Sequence, residues 1–331
     1  MKRISLRSYP TVAIIDPTNV CNLHCPLCAT GSGKSDHPKG MMDEAHFGSI
    51  IDSLGPYLYE LHLYNWGEPL LNRRLPELVK YAKAHSPARI FVSSNLNTLS
   101  EEMATGLIES GVDELTVAAD GISEETYQKY RVGGSFEKVL TNLKALIAKR
   151  AARAERLGAK PPLDGKDGKK LKPKIIFRFM VMKHNAHEIE KARAMAAELG
   201  VNFRKKTVRV DMGDFSEGNI FEKIEKQKEW LPDETELNRY KKHDERLGKL
   251  RVCKDLWTRT FISWDGAVTP CCNVYATGDF FAASFDPDFR KIWNGPAYKA
   301  AREIFKLGKP PEGDTPICKR CVRSGNNIWV S

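Results

Sequence analysis

The sequence predicts an α/β fold: a partial (β/α)6 barrel with a small C-terminal domain made of a β-hairpin and a helix. Three observations point there. β-rich and helix-period segments alternate through the first two-thirds of the 331 residues, the alternation stops after about Met212, and five of the eight cysteines lie between positions 253 and 321. Six strand–helix units in a row favour a parallel sheet closing partly into a barrel, with its functional face at the C-terminal ends of the strands.

The expected strands are 11–16, 58–65, 89–94, 114–119, 174–182 and 201–210. Between them, Phe47, Ile50, Ile51 and Leu54 repeat at the i, i+3, i+4, i+7 spacing of a helix with one apolar stripe, and Phe136, Val139, Leu140, Leu143 and Ile147 do the same. Ser100 before Glu101-Glu102 and Ser123 before Glu124-Glu125 mark helix starts, a cap followed by acids at the positive end of the dipole. Gly111 and Gly200 mark helix ends. The barrel takes 1–220, with 149–174 as a basic loop or insertion. A charged helical connector follows over 221–252, then the cysteine-bearing domain over 253–331.

Composition excludes some classes of function. No run of eighteen apolar residues is present, so no membrane partner is expected, and the basic start lacks a small-residue cleavage site, which suggests a cytoplasmic protein. The net charge is +10, but residues 149–174 alone carry ten Lys/Arg against three acids. That segment holds +7, leaving +3 for the rest of the chain. A basic face covering the molecule is therefore not expected, and RNA binding rests on this one run alone.

The cysteines are clustered: three within 21–28, none in the next 224 residues, then Cys253, Cys271, Cys272, Cys318 and Cys321. In such a chain this pattern suggests metal ligation rather than disulfides. Cys21, Cys25 and Cys28 follow the first strand, and three thiolates can hold three irons of a cubane and leave the fourth open. A zinc site completed by His24 or His37 is the alternative.

These residues resemble the radical S-adenosylmethionine (SAM) superfamily, specifically members with a SPASM or twitch C-terminal extension. The triad matches in CNLHCPLC, with Leu27 where an aromatic residue often precedes the last cysteine. Asn65, Trp66, Gly67, Glu68 and Pro69 match the GGEP motif, with Trp66 replacing its first glycine. Ser94-Asn95 ends the third strand, where the family contacts the ribose or methionine part of SAM. Asp120-Gly121 matches an S-x-D-G motif that has lost its serine, and Arg131 matches the arginine that follows. The resemblance implies that Glu68 accepts from the ammonium of SAM and that Arg131 pairs with its carboxylate.

Cys253 is followed by twelve residues, Gly266, four residues and Cys271, as at the opening of the SPASM pattern, and TFISWDGAV suits a hairpin. With Cys318 and Cys321 these make four thiolates, enough for one fully ligated 4Fe–4S cluster; structural zinc is again the alternative. Two 4Fe–4S clusters and SAM are therefore the expected cofactors.

The resemblance implies reductive cleavage of SAM to a 5′-deoxyadenosyl radical, hydrogen abstraction from a substrate, and an electron donor such as flavodoxin or ferredoxin. A second cluster without an open iron suits an electron acceptor, hence an oxidation. The cysteine spacing is similar to that of twitch-type aminocyclitol dehydrogenases. With the triad beginning at residue 21 and no leader-recognition domain before it, a sugar, aminocyclitol or nucleotide-sugar is expected, with a peptide substrate as alternative. Cys272 remains as spare ligand, packing residue or hydrogen donor for an epimerase. Neighbours on an extended strand face opposite ways, so Cys272 is expected to face away from the cluster, which favours oxidation. Arg178 is a candidate for the substrate site or for a salt bridge within the barrel. An electron-transfer or binding protein with a degenerate site is the other class, opposed by the retention of Glu68, Asn95 and Arg131.

Overall fold

Strands β1 (Val12–Ile15), β2 (Glu60–His62), β3 (Arg89–Ser94), β4 (Glu114–Ala118), β5 (Lys174–Val181) and β6 (Asn202–Thr207) pair in parallel in sequence order. They belong to a computed structural model that describes residues 3–158, 172–210, 220–242, 253–307 and 317–323. Five crossovers carry helices α1 (Glu44–Leu54), α2 (Leu75–His85), α3 (Glu101–Glu109), α4 (Glu124–Tyr130) and α5 (Phe136–Arg156), and α6 (Ile189–Glu198). The six strands sit within a few residues of their sequence-based positions.

Side-chain alternation sorts the strands into two faces. Leu61, Leu63, Phe177, Phe179 and Val181 are fully covered by the helix layer, together with Phe47, Ile50, Ile51 and Leu54 of α1. Each such side chain contributes about 1.5–3 kcal/mol on burial. The alternate residues, among them His62 and Tyr64 after β2, Arg178 on β5, and Arg204 and Lys206 on β6, face the other side. There the sheet curls enough that Tyr64 lies within electrostatic reach of Arg178 and Arg204. The curled sheet therefore encloses a lumen.

Helix ends follow the sequence signals. Ser100 Oγ accepts from the Met103 amide at 3.1 Å and Ser123 Oγ from the Thr126 amide at 3.3 Å. Gly111 (φ +91°) and Gly200 (φ +65°) take the left-handed conformation just past α3 and α6.

Three segments differ from expectation. Helix α5 runs through Arg156, so the first part of the 149–174 segment is helix, fastened by Lys149–Glu101 and by Arg153 and Arg156 to Glu109. Residues 159–171 lie outside the described residues. The 221–252 connector is only partly helical where described: α7 (Ile220–Lys226), a 3₁₀ turn (Lys228–Trp230) and α8 (Arg239–Lys242). The C-terminal hairpin is joined to the barrel sheet. After α9 (Asp255–Thr258), β7 (Arg259–Ile262) pairs in parallel with β1 over four residues, and β8 (Val268–Thr269) returns antiparallel. The described sheet thus reads β6-β5-β4-β3-β2-β1-β7-β8. Helices α10 (Arg290–Trp293), α11 (Pro296–Leu307) and α12 (Ile317–Arg323) complete the C-terminal part, where Arg302 donates to the carbonyls of Leu256 and Trp293. No described helix is long and apolar enough to cross a membrane.

Candidate active site

The loops leaving β1, β2, β3 and β4 meet at one end of the sheet. The β1 loop carries Cys21, Cys25 and Cys28, and the β2 loop carries residues 65–69. They touch backbone to backbone: a Cβ on Gly67 would lie 1.9 Å from the Thr18 carbonyl oxygen. Only glycine fits, which accounts for its place in the motif. The Glu68 amide donates to the Val20 carbonyl at 2.8 Å, and Asp16, at the end of β1, accepts from the Trp66 amide at 2.9 Å. Burial pushes the Asp16 carboxyl up to about 7 against the hydrogen bonds from Trp66 and Asn65.

The buried Glu68 carboxylate braces the next loop. It accepts from the amides of Asn95 at 2.7 Å and Leu70 at 3.1 Å and bonds Ser94, whose hydroxyl also accepts from the Leu96 amide. Pro69 opens the 3₁₀ turn that Glu68 caps. The Asn95 side chain donates to Asn22 Oδ1 at 2.9 Å and comes within 3.9 Å of Cys21 Sγ. Across the triad, Arg131 pairs with Asp120 and reaches 3.8 Å from Cys25 Sγ. Asp120 also accepts from the Met180 amide at 2.9 Å, so it ties the ends of β4 and β5 together.

The motif residues named from the sequence, Asn65 to Pro69, Ser94, Asn95, Asp120 and Arg131, are thus brought around the triad. Glu68 and Arg131 have protein partners of their own, which the sequence did not show. Asp16 was missed altogether, because a lone acid at the end of a strand carries no motif.

The C-terminal cysteines converge as well. Cys253, Cys271, Cys272, Cys318 and Cys321 line one cavity of about 170 Å³, many times the ~10–15 Å³ that admits a single water. None of the eight cysteines is in a disulfide. Burial, then repulsion from Cys272, Cys318 and Cys321, pushes the Cys271 thiol well up. Cys318 is raised likewise by burial and by Cys253 and Cys321. In the triad, burial lifts Cys21 to about 11, with Glu68, Cys25 and Cys28 adding to it.

Crowded, buried thiols disfavour their charged form, and a bound metal centre is what makes thiolates stable there. Tetrahedral zinc would hold its sulfurs roughly 3.8 Å apart, given its Zn–S bonds, and no group of three or more described His, Cys, Asp or Glu is set to hold one ion. His37, one of the alternative zinc ligands, instead bonds Asp265 at 2.8 Å. Three thiols on one loop and five along one cavity are the donor type that iron–sulfur clusters take.

The premise that Cys271 and Cys272 sit on an extended strand does not hold. Strand β8 ends at Thr269, a turn closed by the Val274 amide on the Cys271 carbonyl (3.3 Å) follows, and both cysteines line the same cavity. Cys272 also lies within electrostatic reach of Tyr64 and Lys206 in the lumen.

Comparison with known proteins agrees with this geometry. Residues 15–151 match the radical SAM superfamily and residues 253–322 match the SPASM iron–sulfur cluster-binding domain. A probable GTP 3′,8-cyclase of Methanococcus maripaludis is 31% identical over 130 residues, covering 39% of this chain and 43% of its own. A mycofactocin maturase of Mycobacterium tuberculosis is 32% identical over 131 residues, covering 40% of this chain and 33% of its own. The chain thus spans less than half the length of the curated relatives it matches. In fold, it is similar to Streptococcus suis SuiB bound to S-adenosylmethionine, with a TM-score of 0.60 at 13% identity over 90% of this chain and 68% of that one. The cofactors of these two domains are a 4Fe–4S cluster with SAM in the first and further iron–sulfur cluster in the second. The chain belongs to the radical SAM superfamily and carries a SPASM-type iron–sulfur domain after its barrel.

Proposed function

We propose that this enzyme oxidises a small-molecule substrate, such as a sugar, aminocyclitol or nucleotide-sugar, held in the lumen between its two cysteine sites. One observation carries the reading. The Trp66 Nε1–H donates to the Val274 carbonyl at 2.9 Å, so the loop that packs on the triad also touches the turn holding Cys271 and Cys272. When bound, the cofactors supply one-electron chemistry: SAM gives the radical that removes hydrogen, and the auxiliary cluster takes up the second electron. The residues do the rest. Gly67 lets two backbones close over the triad, Glu68 and Asp120 fix the neighbouring loops, and the lumen side chains hold the substrate.

The test is separation of the two sites. In the reconstituted enzyme, Cys21→Ala should abolish release of 5′-deoxyadenosine, whereas Cys271→Ala should still release it but form no oxidised product. Product formation by Cys271→Ala would defeat the acceptor role.

A second reading, epimerisation with Cys272 as hydrogen donor, draws support from Cys272 lining the cavity of the C-terminal cysteines. Action on a peptide draws support from the mycofactocin maturase relative, and nothing in the lumen favours it. For the electron donor, a flavodoxin or ferredoxin suits the exposed Lys34 and Lys226, which line a cleft beside Leu27 of the triad loop.

A further inference from the structure

The lumen holds more positive charge than it neutralises. On β5, Phe177, Phe179 and Val181 are buried under the helices, so Arg178 between them points inward. Its register partner on β6 is Arg204, and Met180 pairs with Lys206, which places three cations in neighbouring positions on one face. Arg204 is paired with Glu114 at 2.8 Å. Arg178 is not paired: its Nε is buried and has no hydrogen-bond partner, and among the described residues no ion pair satisfies it or Lys206.

The carboxylates within reach are already committed. Asp120 holds Arg131 and the Met180 amide, Glu114 holds Arg204, and Glu68 holds the Asn95 and Leu70 amides. Of the two phenols near Arg178, Tyr64 and Tyr130, the first has its hydroxyl on His62 Nδ1 at 3.0 Å. A guanidinium drawn out of water without a counter-ion is costly to the fold, and such charges persist where a partner comes from outside. Burial lowers the affinity of Arg178 for its proton, and partial desolvation with the charges of Arg178, Arg204 and Arg239 does the same at Lys206.

We propose that Arg178 and Lys206 form an oxyanion subsite for the substrate, which carries a phosphate or carboxylate group. The planar fork of Arg178 binds two oxygens of that group, and Lys206, on the edge strand and open to solvent, adds a point charge at the mouth. Tyr64 and Cys272 lie within electrostatic reach of this pair, so an anchored anionic arm would leave the rest of the molecule between the two cysteine sites. The proposal rests on the lumen being the substrate site and extends that reading to the substrate's chemical class.

The experiment is equilibrium binding to the reconstituted, SAM-loaded holoenzyme, with pyrophosphate, inorganic phosphate and succinate as probes. Saturable binding that weakens about tenfold or more in Arg178→Gln, and by a smaller factor in Lys206→Met, supports the subsite. Preference for the phosphates identifies a phosphate arm, and preference for succinate a carboxylate arm. Lys206→Met, an edge-strand change, keeps the test open if Arg178→Gln fails to fold. Absence of saturable binding, or equal binding by wild type and both variants, overturns the proposal. So does a tenfold loss of SAM affinity in Arg178→Gln with probe binding intact, which would assign the guanidinium to the cofactor carboxylate. Release of 5′-deoxyadenosine by the wild type is read separately, so failure of the radical reading and failure of the anion site are told apart.

Discussion

The indole of Trp66 donates to the carbonyl of Val274 at 2.9 Å, joining the β2 loop to the turn that carries Cys271 and Cys272. Trp66 stands where the family motif has glycine, so a departure from the pattern has become a strut between two sites. Further contacts run beside it. The Thr277 amide donates to Asp36 at 2.8 Å, Ser35 Oγ to the Tyr275 carbonyl at 3.1 Å, and Trp264 Nε1 to the Pro38 carbonyl at 3.0 Å. The loop following the triad is therefore fastened to the C-terminal hairpin along its length.

Trp66→Phe keeps an aromatic ring and removes the donor. A neutral hydrogen bond contributes about 0.5–1.5 kcal/mol, so chemical denaturation should show a loss of about 1 kcal/mol, with full iron content retained. Unchanged stability would mean that water replaces the indole at no cost. Coupling between SAM cleavage and product should fall further than stability does, because the strut sets the spacing between the sites.

Asp16 gives a pH dependence with a definite sign. Its carboxyl titrates at about 7 in the fold against an ordinary value of 3.8. A raised pKa means that the folded state holds the proton more tightly. Its contribution is fully present below about pH 3.8 and is lost as pH rises through about 7. Asp16→Asn keeps an acceptor for the Trp66 amide and cannot ionise. Its stability relative to wild type should therefore rise with pH, by about 1.4 kcal/mol per unit inside that window, and level off above it. Parallel wild-type and variant curves from pH 5 to 8 would show that Asp16 titrates normally.

Two cubanes amount to roughly eight irons per chain, and the triad should hold half of them. The triple variant Cys21→Ala, Cys25→Ala, Cys28→Ala should therefore retain about four irons and lose cleavage of SAM entirely. Iron content near zero would mean that the C-terminal site holds zinc or nothing after reconstitution. Retained 5′-deoxyadenosine release would place the active cluster elsewhere.

Local chemistry was legible in the sequence. Strand positions and the Ser100 and Ser123 caps each depend on residues a few positions apart, and the structure places them as expected. The pairing of β7 with β1 was not legible, since parallel pairing between positions 12–15 and 259–262 leaves no local trace. The charge of the 149–174 segment hid that Ala151 to Arg156 are good helix formers continuing the apolar face of α5 through Ala154. Cys272 was assigned a direction from strand alternation, but the strand ends before it. The partners of Glu68 are long-range, and only folding brings the Asn95 amide to its carboxylate.

Glu68→Gln tests that last contact. Amides of Asn95 and Leu70 point at the carboxylate oxygens, and a glutamine must turn an NH₂ toward one of them. Charge-assisted bonds contribute about 1.5–3 kcal/mol, so stability should fall by roughly 2 kcal/mol. If Glu68 also faces the ammonium of SAM, affinity in equilibrium binding should fall about ten- to a hundredfold. Destabilisation with unchanged affinity would leave Glu68 as a brace between loops and no more.

The choice between oxidation and epimerisation turns on Cys272. A substrate radical in the lumen either loses an electron, giving a dehydrogenase, or receives a hydrogen atom from the opposite face, giving an epimerase. The second fate needs a weak X–H bond, which a thiol supplies. Strand alternation does not decide its direction, since β8 ends before it and Cys272 lines the same cavity as Cys271. Yet the same wall carries four other cysteines, and a fifth thiol there can equally serve as a spare ligand. Cys272→Ala and Cys272→Ser, assayed in deuterated water with a substrate bearing an anionic arm, separate these roles. On the oxidation reading the variants should turn over, with no solvent deuterium at the reacting carbon. A variant that stalls after one hydrogen abstraction, beside a wild type that incorporates deuterium with inversion, would establish Cys272 as the donor and remove the oxidation reading.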